Sequence, residues 1–89
     1  MNDAVTNEQL AAILYRYAAM KGYDLSAVVD LDQYTDGGKI SDYAIAAMIW
    51  SLGNDLTATE NNLIAARQGA TRSQVAYALH HLMVNVMGY

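Results

Sequence analysis

Apolar positions recur at helical spacing in three stretches of the chain. Leu10, Ile13, Leu14, Tyr17 and Met20 succeed one another at intervals of one or three, which gathers their side chains on one side of an α-helix. Ahead of them Thr6-Asn7-Glu8-Gln9 reads as a capping box, with Thr6 at the N-cap, Gln9 three residues later and Glu8 near the positive end of the helix dipole. Gly22 falls where a left-handed C-cap belongs, so the pattern predicts a first helix over about 6 to 21. Ser41-Asp42 is a second N-cap signal. The stripe Ile45, Met48, Ile49 and Leu52 then predicts a helix over 41 to 52, stopped by Gly53. Thr71-Arg72-Ser73-Gln74 repeats the capping box, and Val75, Leu79, Leu82 and Val86 supply the apolar face of a third helix reaching about Val86.

Between these stretches the periodicity lapses. Residues 23 to 40 gather Asp24, Asp30, Asp32, Asp36, Gly37 and Gly38, a turn-forming composition that predicts a loop. From Asn54 to Ala70 the pattern is irregular, with Asn61 and Asn62 before Leu63 and Ile64, and a structured loop is expected. The expected fold class is all-α, a small three-helix module with long structured loops, forming one domain over 1–89.

Composition narrows the class of function. With 54% hydrophobic residues the chain is too apolar for intrinsic disorder, and helix formers dominate a sequence that has no proline, cysteine or phenylalanine. Disulfides are excluded, and the lack of cysteine fits either redox compartment. A net charge of -4 argues against nucleic acid or an anionic membrane as the main partner, since both surfaces are themselves negative. No stretch approaches the ~20 apolar residues of a membrane span, so membrane insertion is not expected. Met1 to Ala4 carries no basic-then-apolar leader pattern, and no signal peptide is read there.

The two capping boxes open similar text. Thr6-Asn7-Glu8-Gln9-Leu10-Ala11 aligns with Thr71-Arg72-Ser73-Gln74-Val75-Ala76, with Leu14 and Leu79 in register. Such a chain reads as part of a tandem array that begins and ends on the same element. The stretch Val5 to Tyr17 closely resembles the last helix of an S-layer homology (SLH) repeat, and the rest of the chain resembles the next repeat in full. Tyr34-Thr35-Asp36 matches its opening aromatic-x-Asp, Ser41-Asp42-Tyr43-Ala44 and Ala47-Met48-Ile49-Trp50 its first helix, and Thr71-Arg72-Ser73-Gln74 its signature. On that resemblance, residues 1–22 are the terminal helix of a preceding repeat and 23–89 one complete repeat.

The resemblance implies a non-catalytic bacterial surface module that attaches to anionic, pyruvylated secondary cell-wall polysaccharide. Its binding grooves would lie between adjacent repeats. It implies ligand-binding roles for Arg72, Thr71, Trp50 and Asp36, with Arg72 facing an acidic sugar and Trp50 shaping the groove. A guanidinium beside free helix N-terminal N–H groups is a chemically sound seat for a carboxylate. The sequence departs from the pattern in three places. Asn7 stands where the family has arginine, the loop from Gly53 to Asn62 lacks the glycine-rich turn, and Ile64-Ala65-Ala66 replaces a proline-containing step.

Without the resemblance, the same residues have plainer roles. Arg72 is an exposed residue in a first helical turn, Thr71 a cap, and Trp50 an extension of an apolar stripe. The seven tyrosines could form a sugar-stacking surface, though those on helices can equally pack with a polar tip outward. Asp30, Asp32 and Asp36 do not fit a calcium loop in either register, because Thr35 or Tyr34 and Ser41 or Tyr43 fall where ligands or glycine are needed. Adjacent His80 and His81 point about 100° apart on a helix and make no chelating pair. No metal, cofactor or catalytic constellation is expected. The alternative to sugar attachment is a structural or protein-interaction module. It would self-associate, exchange its terminal helix or dock a partner through exposed helix faces. The expected location is the bacterial surface or a secreted protein, with the cytoplasm also compatible.

Overall fold

A computed structural model describes residues 5–26, 29–57, 59 and 63–88. The expectations that touch Met1 to Ala4, Ala58, Glu60, Asn61 and Asn62 lie outside these residues. The described chain is all-α: helix α1 spans Asn7–Lys21, α2 spans Ile45–Gly53 and α3 spans Arg72–His81. Among the described residues there is no strand; Thr6 and Gly69 form an isolated antiparallel bridge.

The capping boxes determine where α1 and α3 begin. At α1 the Gln9 N–H donates to Thr6 Oγ1 (3.2 Å) and the Thr6 N–H to Gln9 Oε1 (2.8 Å). At α3 the Gln74 N–H donates to Thr71 Oγ1 (3.1 Å) and the Thr71 N–H to Gln74 Oε1 (2.8 Å). Each box satisfies two N–H groups that the start of a helix leaves orphaned. Gly22, at φ 77°, closes α1 in the left-handed conformation that a side chain resists. Past His81 the third helix widens into a π-type segment, Leu82–Val86, so the expected length is reached with a change of winding.

The second helix begins differently from its sequence signal. Ser41 leads into a 3₁₀ turn, Asp42–Ala44, before α2, and makes no side-chain cap. Its hydroxyl is instead drawn to Glu8 across the fold. Two more 3₁₀ turns, Leu31–Gln33 and Gly37–Lys39, occupy the aspartate-rich loop. The Asp32 N–H donates to Asp30 Oδ1 (2.9 Å), a local cap of the kind expected there.

The buried faces coincide only in part with the ones that apolar spacing selects: Leu14, Met48 and Leu82 are buried, with Leu10, Tyr17, Leu52 and Val86 packed against the core. In α1 the buried positions are Asn7, Glu8, Ala11, Leu14 and Ala18, while Ile13 and Met20 are exposed. In α2 they are Ala47, Met48, Trp50 and Ser51, and Ile45 faces outward. In α3 only Ala78 is buried, with Leu82 beyond it, and Leu79 is exposed. Alanine explains part of the difference. Ala11, Ala18, Ala44, Ala47 and Ala78 take buried positions beside Trp50, Met48, Leu56 and Ile64, so small side chains occupy part of each helix's inner face.

Two apolar clusters result. One joins Ala11 to Ile40, Ala44, Met48, Ile64 and Ala66; the other joins Leu14 and Ala18 to Trp50, Leu56, Ala78 and Leu82. Tyr15 packs against both. The buried Ser51 hydroxyl is satisfied by that of Thr57 at 2.7 Å.

Candidate functional site

The segment leading into the second capping box wraps the start of α1. The Asn7 N–H donates to the Gln68 carbonyl (2.9 Å), the Glu8 N–H to the Ala66 carbonyl (2.8 Å) and the Ala70 N–H to the Val5 carbonyl (2.9 Å). The Asn7 side chain adds a bond from Nδ2 to the Ala65 carbonyl (2.9 Å). The free N–H groups of the first turn, which would otherwise seek water or an anion, are thus taken by this chain's own carbonyls. The first capping box is sealed.

Asp36 holds that segment from the other side. Its Oδ1 accepts from the Ile64 N–H (2.8 Å) and its Oδ2 from the Ala65 N–H (2.9 Å). Partial burial works to raise the Asp36 pKa, but these N–H donors, its own backbone N–H and the Lys39 charge together hold it below the ordinary 3.8. Between Asp36 and Asn7, Ala65 is kept at φ 56°, a left-handed conformation unusual for a residue with a Cβ.

The second capping box is open. Thr71, Arg72 and Ser73 are all exposed, and Arg72 makes no ion pair among the described residues, where His81 Nε2 lies 3.9 Å from Asp55 Oδ2. Of the four residues expected to contact ligand, only Arg72 and its neighbour Thr71 face solvent together. Trp50 is 1% exposed, its Nε1–H donates to the Asp24 carbonyl (3.2 Å) and its ring meets Tyr15 edge-on at 5.5 Å. It shapes the core and offers no face to a ligand. Asp36, with both oxygens on backbone N–H groups, likewise acts within the fold.

A further polar cluster ties α3 to the turn after α2. The Tyr77 hydroxyl donates to Asp55 Oδ1 (3.1 Å), the His81 ring stacks on Tyr77 at 4.0 Å, and Asn85 Nδ2 donates to the Asn54 carbonyl (2.8 Å). Burial, then the bond to Asp55 and its charge, raise the Tyr77 pKa. Asp55 itself is left-handed at φ 61°. Among the described residues no group of three or more His, Asp or Glu side chains could hold a metal ion.

Asn7, Glu8 and Asp55 carry structural roles that sequence reasoning misses. Asn7 occupies the position where an arginine anchor for an anion is expected, and it is instead the clamp on Ala65. No local signal marks them, because their partners are distant in the chain.

No family model, curated protein or solved structure matches this chain.

Proposed function

We propose that this chain is a non-catalytic repeat module of a bacterial surface-attachment protein. Its open capping box would bind anionic, pyruvylated wall glycan through Arg72, alongside a neighbouring repeat of the same kind. One observation carries this reading. When Thr6 is aligned with Thr71, the buried face of α1 and its counterpart in α3 have opposite fates. Asn7, Glu8, Ala11, Leu14 and Ala18 are buried, whereas Arg72, Ser73, Ala76, Leu79 and Met83 are all exposed. Ala11, on that face of α1, is covered by the unit running from Ile40 through α2 to Ala66. An equivalent unit from a neighbouring repeat would fit α3, and Arg72 stands at the head of the junction. The resemblance to SLH repeats supplies the ligand class, and a planar guanidinium at an unsealed helix start supplies the chemistry.

The test is saturable binding to purified pyruvylated wall polysaccharide, with Arg72→Ala alongside. Binding that falls with the substitution supports attachment; no binding by a folded chain rejects it.

A second reading has its own support. Ile13, Leu14 and Tyr17 of α1 and Leu79, Met83 and Met87 in and beyond α3 line an apolar groove of about 380 Å3. A face of this kind suits a protein-interaction module that docks a partner or a second copy without sugar. Sedimentation over a wide concentration range tests docking of a second copy, and binding to the wall polysaccharide separates this reading from the first.

A further inference from the structure

Asn7 of α1, Ser51 of α2, Thr57 in the loop beyond it and Gln74 of α3 line one cavity of about 10 Å3. The rest of its lining is apolar, with Leu10, Leu14, Leu56 and Ala78 among it. A single water molecule needs ~10–15 Å3, so this cavity has room for one water and for nothing larger.

The polar side chains there have hydrogen-bonding atoms to spare. Asn7 is 6% exposed. Its Nδ2 donates to the Ala65 carbonyl, so the amide oxygen is the end left over, and among the described residues that oxygen accepts no hydrogen bond. Gln74 is half-buried, and its Oε1 accepts from the Thr71 N–H. That leaves its NH2 group as a donor with no partner among the described residues. Ser51, 1% exposed, shares a hydrogen bond with the Thr57 hydroxyl. One hydroxyl of the two donates in that bond, and the other keeps its proton to give elsewhere.

We propose that this cavity binds one ordered water molecule that joins all three helices. The water donates to Asn7 Oδ1 and accepts from the Gln74 NH2 group and from the remaining hydroxyl proton of the Ser51–Thr57 pair. Three such bonds are the usual number for a buried water. Cavities that stay dry are lined by apolar groups, whereas here a buried amide oxygen would be left without a donor. The consequence falls on α3, in which only Ala78 is buried. The water gives that helix a polar link to α1 and α2 through the same Gln74 that closes its capping box. The inference rests on neither the glycan reading nor the docking reading.

The experiment is oxygen-17 relaxation dispersion of water with the whole chain in solution, which counts long-lived internal water oxygens and is blind to exchanging hydroxyl protons. Water-to-protein NOEs then locate the site. In the wild type at least one long-lived water is expected, with NOEs to the side-chain amide protons of Asn7 and Gln74. The double variant Ser51→Ala, Thr57→Val removes both hydroxyls together, so neither is left unpaired, and it should hold one long-lived water fewer. Its own spectrum reports whether it is folded, and the wild-type measurements stand without it. No long-lived water in the wild type, no NOE at Asn7 and Gln74, or an unchanged count in the folded double variant would each overturn the proposal.

Discussion

Glu8 and Ser41 are joined by two hydrogen bonds to one carboxylate: the Ser41 N–H donates to Oε1 (2.9 Å) and the Ser41 hydroxyl to Oε2 (2.6 Å). Glu8 is only 5% exposed, so a carboxylate at the first turn of α1 is buried and matched by donors at the start of the 3₁₀ turn that leads into α2. The same carboxylate gains from the positive end of the α1 dipole. This contact ties the head of α1 to the point where the chain enters α2.

Removing one partner of a buried charged hydrogen bond leaves the other unsatisfied. Glu8→Ala is expected to lower stability by about 2–3 kcal/mol and Ser41→Ala by about 1–2 kcal/mol. The double variant should lose less than the sum, because the two act as one unit. Urea denaturation of the wild type, both single variants and the double variant checks this; strict additivity would show that the pair is not coupled.

Asp36 gives the chain a defined acid sensitivity. Its folded pKa is depressed, so its contribution is fully present above the ordinary value of 3.8 and is lost as pH falls through the lower folded value. Asp36→Asn replaces an acceptor that serves two N–H groups with one whose second oxygen has become an NH2 donor, at a cost of about 2 kcal/mol at neutral pH. That deficit should shrink as pH falls below the ordinary 3.8 and through the lower folded value, where the wild-type carboxyl protonates. Unfolding midpoints of both proteins measured across this range test it, and a gap that stays constant with pH would contradict the assignment.

Ala65 is the strained link between Asp36 and Asn7. At φ 56° a β-branched side chain is strongly disfavoured, whereas glycine trades relief of strain against greater freedom when unfolded. Ala65→Val should therefore cost more than about 1–2 kcal/mol, while Ala65→Gly stays within about 0.5 kcal/mol of wild type in either direction. Thermal melts of the two variants distinguish this backbone effect from a packing effect, which would rank them the other way.

The ends of α1 and the start of α3 are legible in the sequence because each is set by local chemistry. Thr6 with Gln9, Thr71 with Gln74, and Gly22 satisfy backbone groups within a few residues of themselves. The faces are less legible. Hydrophobic spacing selects the exposed Ile13, Met20, Ile45 and Leu79 along with the buried Leu14, Met48 and Leu82, yet alanines take part of each inner face, and a small side chain gives little signal in a pattern built on large ones. Asn7, Glu8 and Asp36 are illegible for a different reason. Their partners, Ala65, Ser41 and Ile64, are distant in the chain, so nothing local separates a buried clamp from a solvated polar residue. Arg72 and Thr71 are exposed at a helix start, as their capping-box position implies, whereas Trp50 and Asp36 turn inward.

Leu14 and Leu79 hold the same position in two copies of one pattern, and their environments make opposite predictions. Leu14 is 6% exposed inside the cluster formed with Trp50 and Leu56, and Leu79 is 45% exposed on the open face of α3. Leu14→Ala should therefore cost about 2–4 kcal/mol through lost transfer energy and a residual cavity. Leu79→Ala should cost under about 0.5 kcal/mol in the isolated chain, like other surface substitutions. Adding the unit that covers α3, whether a neighbouring repeat or another partner, should make the Leu79 substitution costly in binding while leaving the Leu14 effect as a folding defect. Urea denaturation of both variants in dilute solution checks the first half of this. Comparable folding losses there would mean that the face of α3 is already covered, as association between copies of the chain would do.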